Sequence, residues 1–284
     1  MKKATLSLLA FILLFAGSAS AQITIDSVHM PVIGDSIERG LTRKIDSLFN
    51  PTIKALGVTF DCSWLDDTSD LSLTYFSDPS SHPDQSQFPT ANIMQIEDTI
   101  DIFCKKDKDG YVGIGVAYAG VSNGAFNPQP IFMKTPFNYQ DQYNSHGYVK
   151  ASVPNIVDVV LDLKRDVEVV NYGNVKMPDT MLYEVLVAKV IEIFEFEYTL
   201  GGNTTKERDS AIYYEFYCQE FPLPLLRARM NDTAVVSVEF VFLGHPITVG
   251  KEKIAKNDVD VYPNPTTSNF NITTSVMGQL NVYS

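Results

Sequence analysis

The stretch from residue 181 to residue 200 sets the first constraint on the fold. Phe194, Phe196, Tyr198 and Leu200 share one parity, and Glu195, Glu197 and Thr199 share the other. An apolar–polar repeat of two belongs to a strand with one wet face, because successive strand side chains point to opposite sides. Ile191 and Ile193 fall on the opposite parity from Phe194, which predicts a β-bulge near residue 193. Gly201-Gly202-Asn203 then closes the strand. Residues 211–218 and 233–243 repeat the pattern, with Val236, Val238, Phe240 and Phe242 facing one way. Residues 157–170 are similarly dense in Val and Leu.

The rest of the chain is mostly of the same kind. Gly57 to Trp64 and Leu71 to Phe76 read as short strands split by the turn Asp66-Asp67. Residues 77–90, rich in Ser, Pro, Asp and Gln, read as a surface loop. Residues 91–104 and 111–119 flank Lys105-Lys106-Asp107-Lys108-Asp109-Gly110, and Asp-Gly between two β-rich runs predicts a hairpin. Pro222 and Pro224 mark an interruption or an edge of the sheet. One segment, residues 36–48, has the composition of a short helix broken by Gly40. Many β-rich runs separated by turns predict a mainly β fold, a β-sandwich-like or layered antiparallel body. Long helices do not alternate with the strands, which argues against a Rossmann fold or a (β/α)₈ barrel. The β-rich body is expected over residues 22–250, possibly as two subdomains. A polar linker follows at 251–260, and a small β tail at 261–284.

The N-terminus reads as an export signal. Lys2 and Lys3, the apolar run Leu6–Ala16 and the small residues of Ala19-Ser20-Ala21 read as a signal peptide over residues 1–21, with Gln22 as the new N-terminus. The apolar run is shorter than the roughly 20 residues of a membrane-spanning helix. No cysteine stands near the cleavage point to carry a lipid. The formal net charge is −12, and removal of the leader takes two more lysines with it. Such a chain repels nucleic-acid backbones and anionic membrane surfaces.

Near the C-terminus stands Val261-Tyr262-Pro263-Asn264-Pro265-Thr266-Thr267-Ser268, then Asn269-Phe270-Asn271-Ile272, and last Gln279-Leu280-Asn281-Val282-Tyr283-Ser284. Pro263 and Pro265 fix two φ angles and remove two sheet donors, and Phe270 and Ile272 begin a strand. This opening resembles the type A C-terminal sorting domain of the Bacteroidota type IX secretion system. The resemblance implies passage across the outer membrane through that machinery, followed by release or attachment to surface lipopolysaccharide. Family domains continue through further strands and a late Gly-x-Tyr piece, so residues 261–284 match only a partial domain. If that tail is functional, the product is expected at the cell surface or in the medium; if not, in the periplasm. More loosely, Met30-Pro31-Val32-Ile33-Gly34-Asp35, Gly57 to Asp61 and Trp64 resemble uncharacterised secreted Bacteroidota proteins, which imply no activity.

Candidate chemistry is sparse. His29, His82, His146 and His245 form no HExxH or close His-x-His pair. Ser145-His146 are only chain neighbours, and no G-x-S-x-G is present. Asp107 and Asp109 begin like a calcium loop but lack its later ligands, so a hairpin turn is expected. Cys62, Cys104 and Cys218 read as buried thiols, with a single disulfide as the alternative. Glu192, Glu195 and Glu197 read as the wet side of a strand. Tyr213, Tyr214 and Tyr217 read as core residues with polar tips, or as the lining of a carbohydrate site. Asp followed by Ser or Thr and an apolar residue resembles an O-glycosylation sequon of exported proteins in this bacterial group, at Ser27, Ser36, Ser47, Thr99, Thr180, Ser210 and Thr233. No catalytic, cofactor-binding or metal-ligating residue is assigned, and no cofactor is expected. The leading expectation is an exported non-catalytic β-protein for surface structure, adhesion or binding, with a cell-surface or polysaccharide ligand. A secreted hydrolase of polysaccharide or peptide, and a carbohydrate-binding module, are the alternatives.

Overall fold

The structure, a computed structural model, describes residues 23–65, 70–97, 100–118, 122–153, 157–200, 203–241, 260–262 and 271–273. The leader, the turn at Asp66-Asp67, the linker before Asp260 and the residues after Thr273 lie outside them.

The protein is mainly β. Its strands are β1 (Ser36–Thr42), β2 (Val58–Asp61), β3 (Asp70–Ser77), β4 (Ile93–Glu97), β5 (Ile100–Asp107), β6 (Gly110–Tyr118) and β7 (Ser122–Ala125). They continue as β8 (Ile131–Lys134), β9 (Gln142–Val153), β10 (Val157–Lys176), β11 (Leu182–Leu200), β12 (Asn203–Tyr217), β13 (Leu226–Asn231) and β14 (Ala234–Val241). All fourteen belong to one sheet, ordered β2-β10-β11-β12-β13-β14-β1-β3-β4-β5-β6-β7, with β8 on β6 and β9 on β10. Every pairing is antiparallel except β2 with β10. A separate antiparallel hairpin joins β15 (Asp260–Tyr262) to β16 (Asn271–Thr273), so the strand expected around Ile272 pairs with the Val261-Tyr262 segment.

The sheet curls until its ends meet. The chain between β7 and β8 lies along β6 through Phe126 N to Ile114 O, at 2.9 Å, and Gly113 N to Pro130 O, at 2.8 Å. Its other side bonds β9, with Asn127 N donating to Tyr148 O at 2.7 Å and Tyr148 N to Pro128 O at 3.2 Å. This closure gives the sheet an inner and an outer face. Part of the outer face is covered by the segment around β2. Phe60 meets Phe216 edge-on at 5.1 Å, and Phe49 packs on Phe216 and Trp64. The body is therefore layered, and Val187, Phe216, Leu226 and Phe240 are buried on the outer side as well.

Three local expectations are overturned. Residues 36–42 are strand β1, not the start of a helix. β1 sits between β14 and β3 and buries Ile37 completely, so two flanking hydrogen-bond ladders outweigh the helical composition. The register of β11 runs unbroken through Ile193. The bulge lies instead in its partner β10, between Val169 and Asn171. Asn171 fits that site because its buried amide donates to Ile53 O and Ala55 O, at 2.6 and 3.1 Å, and its oxygen accepts from Tyr172 N. Finally, the run 91–104 is two strands, β4 and β5, paired with each other. The hairpin at Asp107–Gly110 forms as expected, closed by Asp109 N donating to Asp107 Oδ1 at 2.9 Å.

Beyond the body, β10, β11 and the first half of β12 run on as an arm. Residues 203–210 are all exposed, and β13 pairs β12 only from Ile212 to Phe216. On this edge Lys206 and Arg208 project from one face, Glu207 and Asp209 from the other. A second copy paired antiparallel here would set like charges opposite one another, which guards the edge against self-association.

Candidate functional site

The inner face holds a cleft of about 370 Å³ between β1 and β10–β14 on one side and β4, β5, β6 and β8 on the other. Register puts opposite charges side by side along its first wall. Glu215 on β12 pairs with Arg227 on β13, and Arg227 pairs with Glu239 on β14. On the neighbouring strands Arg165 faces Glu192. These side chains share the inner face because they occupy matching parities.

Glu215 is the centre of the network. Its side chain is only 3% exposed. It accepts from Arg165 Nη2 at 2.8 and 3.0 Å, from Arg227 Nε at 3.0 Å and from Tyr217 Oη at 2.5 Å. Burial alone would raise its pKa. The guanidiniums of Arg165 and Arg227 and the Tyr217 hydroxyl outweigh burial and hold the carboxyl down at about 2. Arg227 Nη2 also donates to Glu192 at 2.8 Å, and its guanidinium lies 3.7 Å over the Tyr213 ring. Arg165 Nη1 donates to the Phe132 carbonyl at 3.2 Å, which also accepts from Tyr143 Oη. Next to this cluster Arg39 Nη1 bonds Glu239 at 2.6 Å. On the opposite wall Tyr111 Oη donates to Gln95 and Gln95 Nε2 donates to Glu97, at 3.0 and 2.6 Å.

Two inner-face donors have no protein acceptor among the described residues: Arg39 Nε and Arg165 Nε. Arg165 Nε lies 3.2 Å from Glu192 Oε2, close enough for charge attraction but outside hydrogen-bond geometry. Apolar lining comes from Ile102, Phe132, Leu163 and Phe194. From Phe194 an aromatic row continues up the arm: Phe194 and Phe196 are near-parallel at 6.3 Å, and Phe196 and Tyr198 lie 5.8 Å apart.

The residues singled out in the sequence fall mostly elsewhere. Glu195 and Glu197 do lie on a wet face, paired with Arg208 and Lys206. Glu192 does not; it shares the parity of Phe194 and faces the cleft. Tyr213, Tyr214 and Tyr217 form no common platform, since Tyr214 points to the opposite face and Tyr217 is buried against Glu215. His29 pairs with Asp26, His82 with Asp101 and His146 with Asp162, well apart in the chain. His245 and Thr99 lie outside the described residues. Asp107 is engaged by Lys105 at 2.8 Å and by its own turn. No group of three or more His, Cys, Asp or Glu side chains suited to a metal occurs among the described residues. The three cysteines are free and buried. Of the sequon residues, Ser47, Thr180, Ser210 and Thr233 are exposed, and Ser27 and Ser36 are half-buried.

Sequence reasoning missed Arg39, Arg165, Glu215, Arg227 and Glu239. One signal was available: Glu215 is the single charge in the apolar run Ala211 to Cys218. A charge within a fully apolar strand is rarely tolerated unless it is paired.

The fold and cleft thus define a mainly β protein whose inner-face arginines are each paired with a glutamate. Comparison with protein-family models, with curated proteins and with solved structures returns no match. Among the described residues no helix is long and apolar enough to cross a membrane.

Proposed function

We propose that this chain is an exported, non-catalytic β-protein with a binding, adhesion or structural role at the cell surface or in the medium. Delivery rests on the leader at residues 1–21 and on the Val261–Ser268 segment, which resembles the opening of a type IX sorting domain. The observation that carries the non-catalytic reading is the clamp on Glu215. A general acid must hold a proton at working pH, and a general base must be free to take one. Glu215 does neither while Arg165, Arg227 and Tyr217 hold it ionised. Glu192 is likewise engaged by Arg227 and Arg165. Such a site suits recognition better than proton transfer.

The test has two arms. The chain is expressed in a bacterium with type IX machinery and in a strain lacking it, and fractions are examined by mass spectrometry. A Gln22 N-terminus in the medium or on the surface, dependent on the machinery, supports the delivery reading. An uncleaved Met1 form retained in the cytoplasm sinks it. The same spectra test glycosylation: added mass on peptides carrying Ser47, Thr180, Ser210 or Thr233 is expected, and bare masses throughout exclude it. In the second arm the purified chain is incubated with polysaccharides and peptides. Turnover that disappears in Glu215→Gln would overturn the non-catalytic reading.

A further inference from the structure

We infer that the inner cleft and the aromatic row above it form one binding track for a neutral oligosaccharide. This rests on the binding reading above and names its ligand class.

The charge pattern points to a neutral ligand. Arg39, Arg165 and Arg227 stand against Glu192, Glu215 and Glu239, and each is engaged with a partner of opposite sign. With Glu97 on the opposite wall, held by Gln95, an anionic ligand would meet four carboxylates and a cationic one three guanidiniums already paired, each at a desolvation cost. A polyol carries donors and acceptors together, so it can use both without disturbing the pairs.

The apolar surfaces point to stacked sugar faces. Phe132 and Phe194 line the cleft, and its volume of about 370 Å³ suits one or two small rings. Phe194 is 39% exposed and belongs to both the cleft and the row. Phe196 and Tyr198 follow at the same parity, at spacings of 6.3 and 5.8 Å. A strand sets alternate side chains at a repeat near the length of one sugar unit. A linear chain with its end in the cleft would therefore lay successive apolar ring faces on successive aromatics.

The experiment titrates the purified chain with cellohexaose, maltohexaose and chitin hexamer. Hexagalacturonate, a chitosan hexamer and a neutral Gly-Ser peptide are run alongside. Binding is read by calorimetry and products by chromatography. Phe194→Ala and Phe196→Ala, at positions that are not fully buried, are compared with Tyr118→Ala, exposed elsewhere. At least one neutral hexaose is expected to bind, at least about ten-fold more tightly than the charged oligomers or the peptide. Each Phe variant should weaken it about ten-fold, and Tyr118→Ala should not. The inference fails if no neutral hexaose binds at millimolar concentration, if a charged oligomer or the peptide binds more tightly, or if both Phe variants bind like the parent. Cleaved hexaose would instead overturn the non-catalytic reading, so the two failures are told apart.

Discussion

Substituting Glu215 by Gln removes one charge from the centre of the inner network while keeping nearly the same shape. Two guanidiniums, Arg165 and Arg227, then remain buried beside a neutral amide. Breaking one partner of a buried ion pair costs about 3–5 kcal/mol. Linkage gives a second, independent figure. The carboxyl sits at about 2 in the folded chain against an ordinary value of 4.5. At about 1.4 kcal/mol per pH unit the difference is worth about 3 kcal/mol. The sign follows from the lowered folded value: this stability is fully present above about pH 4.5 and is lost as pH falls towards 2. Urea titrations followed by circular dichroism, run from pH 7 to pH 2, read both effects. At pH 7 Glu215→Gln should lose about 3–5 kcal/mol, close to 10 °C in melting temperature. Between pH 4.5 and pH 2 its stability should fall less steeply than that of the parent, because the group that takes up the proton is gone. A loss below about 1 kcal/mol at pH 7, or parallel pH profiles for the two chains, would show that the Glu215 clamp does not hold the inner face together.

Three further outcomes are expected. Asn171→Ala deletes the two bonds to Ile53 O and Ala55 O and should cost about 2–3 kcal/mol, with faster amide exchange across residues 53–57 than elsewhere in the chain. Gly173→Ala would put a methyl group 2.1 Å from Val58 O, so β2 must separate from β10; a melting temperature within 1–2 °C of the parent, about 0.5 kcal/mol, would contradict that packing. Burial raises the thiols of Cys62, Cys104 and Cys218, Cys104 to about 12, so an aromatic disulfide reagent at pH 8 should label none of them in the native chain and all three in denaturant.

Period two was legible because it is local. Phe194, Phe196 and Tyr198 announce a strand two residues at a time, and β11 runs through them. The Asp-Gly hairpin was legible for the same reason, since Asp107 and Gly110 face each other across their own turn. The short strands β7 and β8, without strong alternation, were not legible, and β13 went unread although Leu226, Ala228 and Met230 alternate with Arg227 and Arg229. The first two are fixed by the edges they join, as β8 is by Tyr111 and Gly110 of β6. The helix expected at 36–48 failed because the neighbours β14 and β3 outweighed the helical composition there. Glu192 was grouped with Glu195 and Glu197 by nearness, although its parity already set it apart.

What the sequence determined by itself is the β class, the parity of the long strands, the turn at Gly110 and the acidic balance. Each depends on side chains a few residues apart, where local sterics and solvation act. Only the tertiary structure decided which parity faces inward and which charges meet. Arg165 and Glu215 are separated by 50 residues, and Arg39 and Glu239 by 200. A charge two strands away leaves no trace in the local pattern. It is brought into place by the register of the sheet and by the closure at Tyr148, and those depend on the whole chain folding at once.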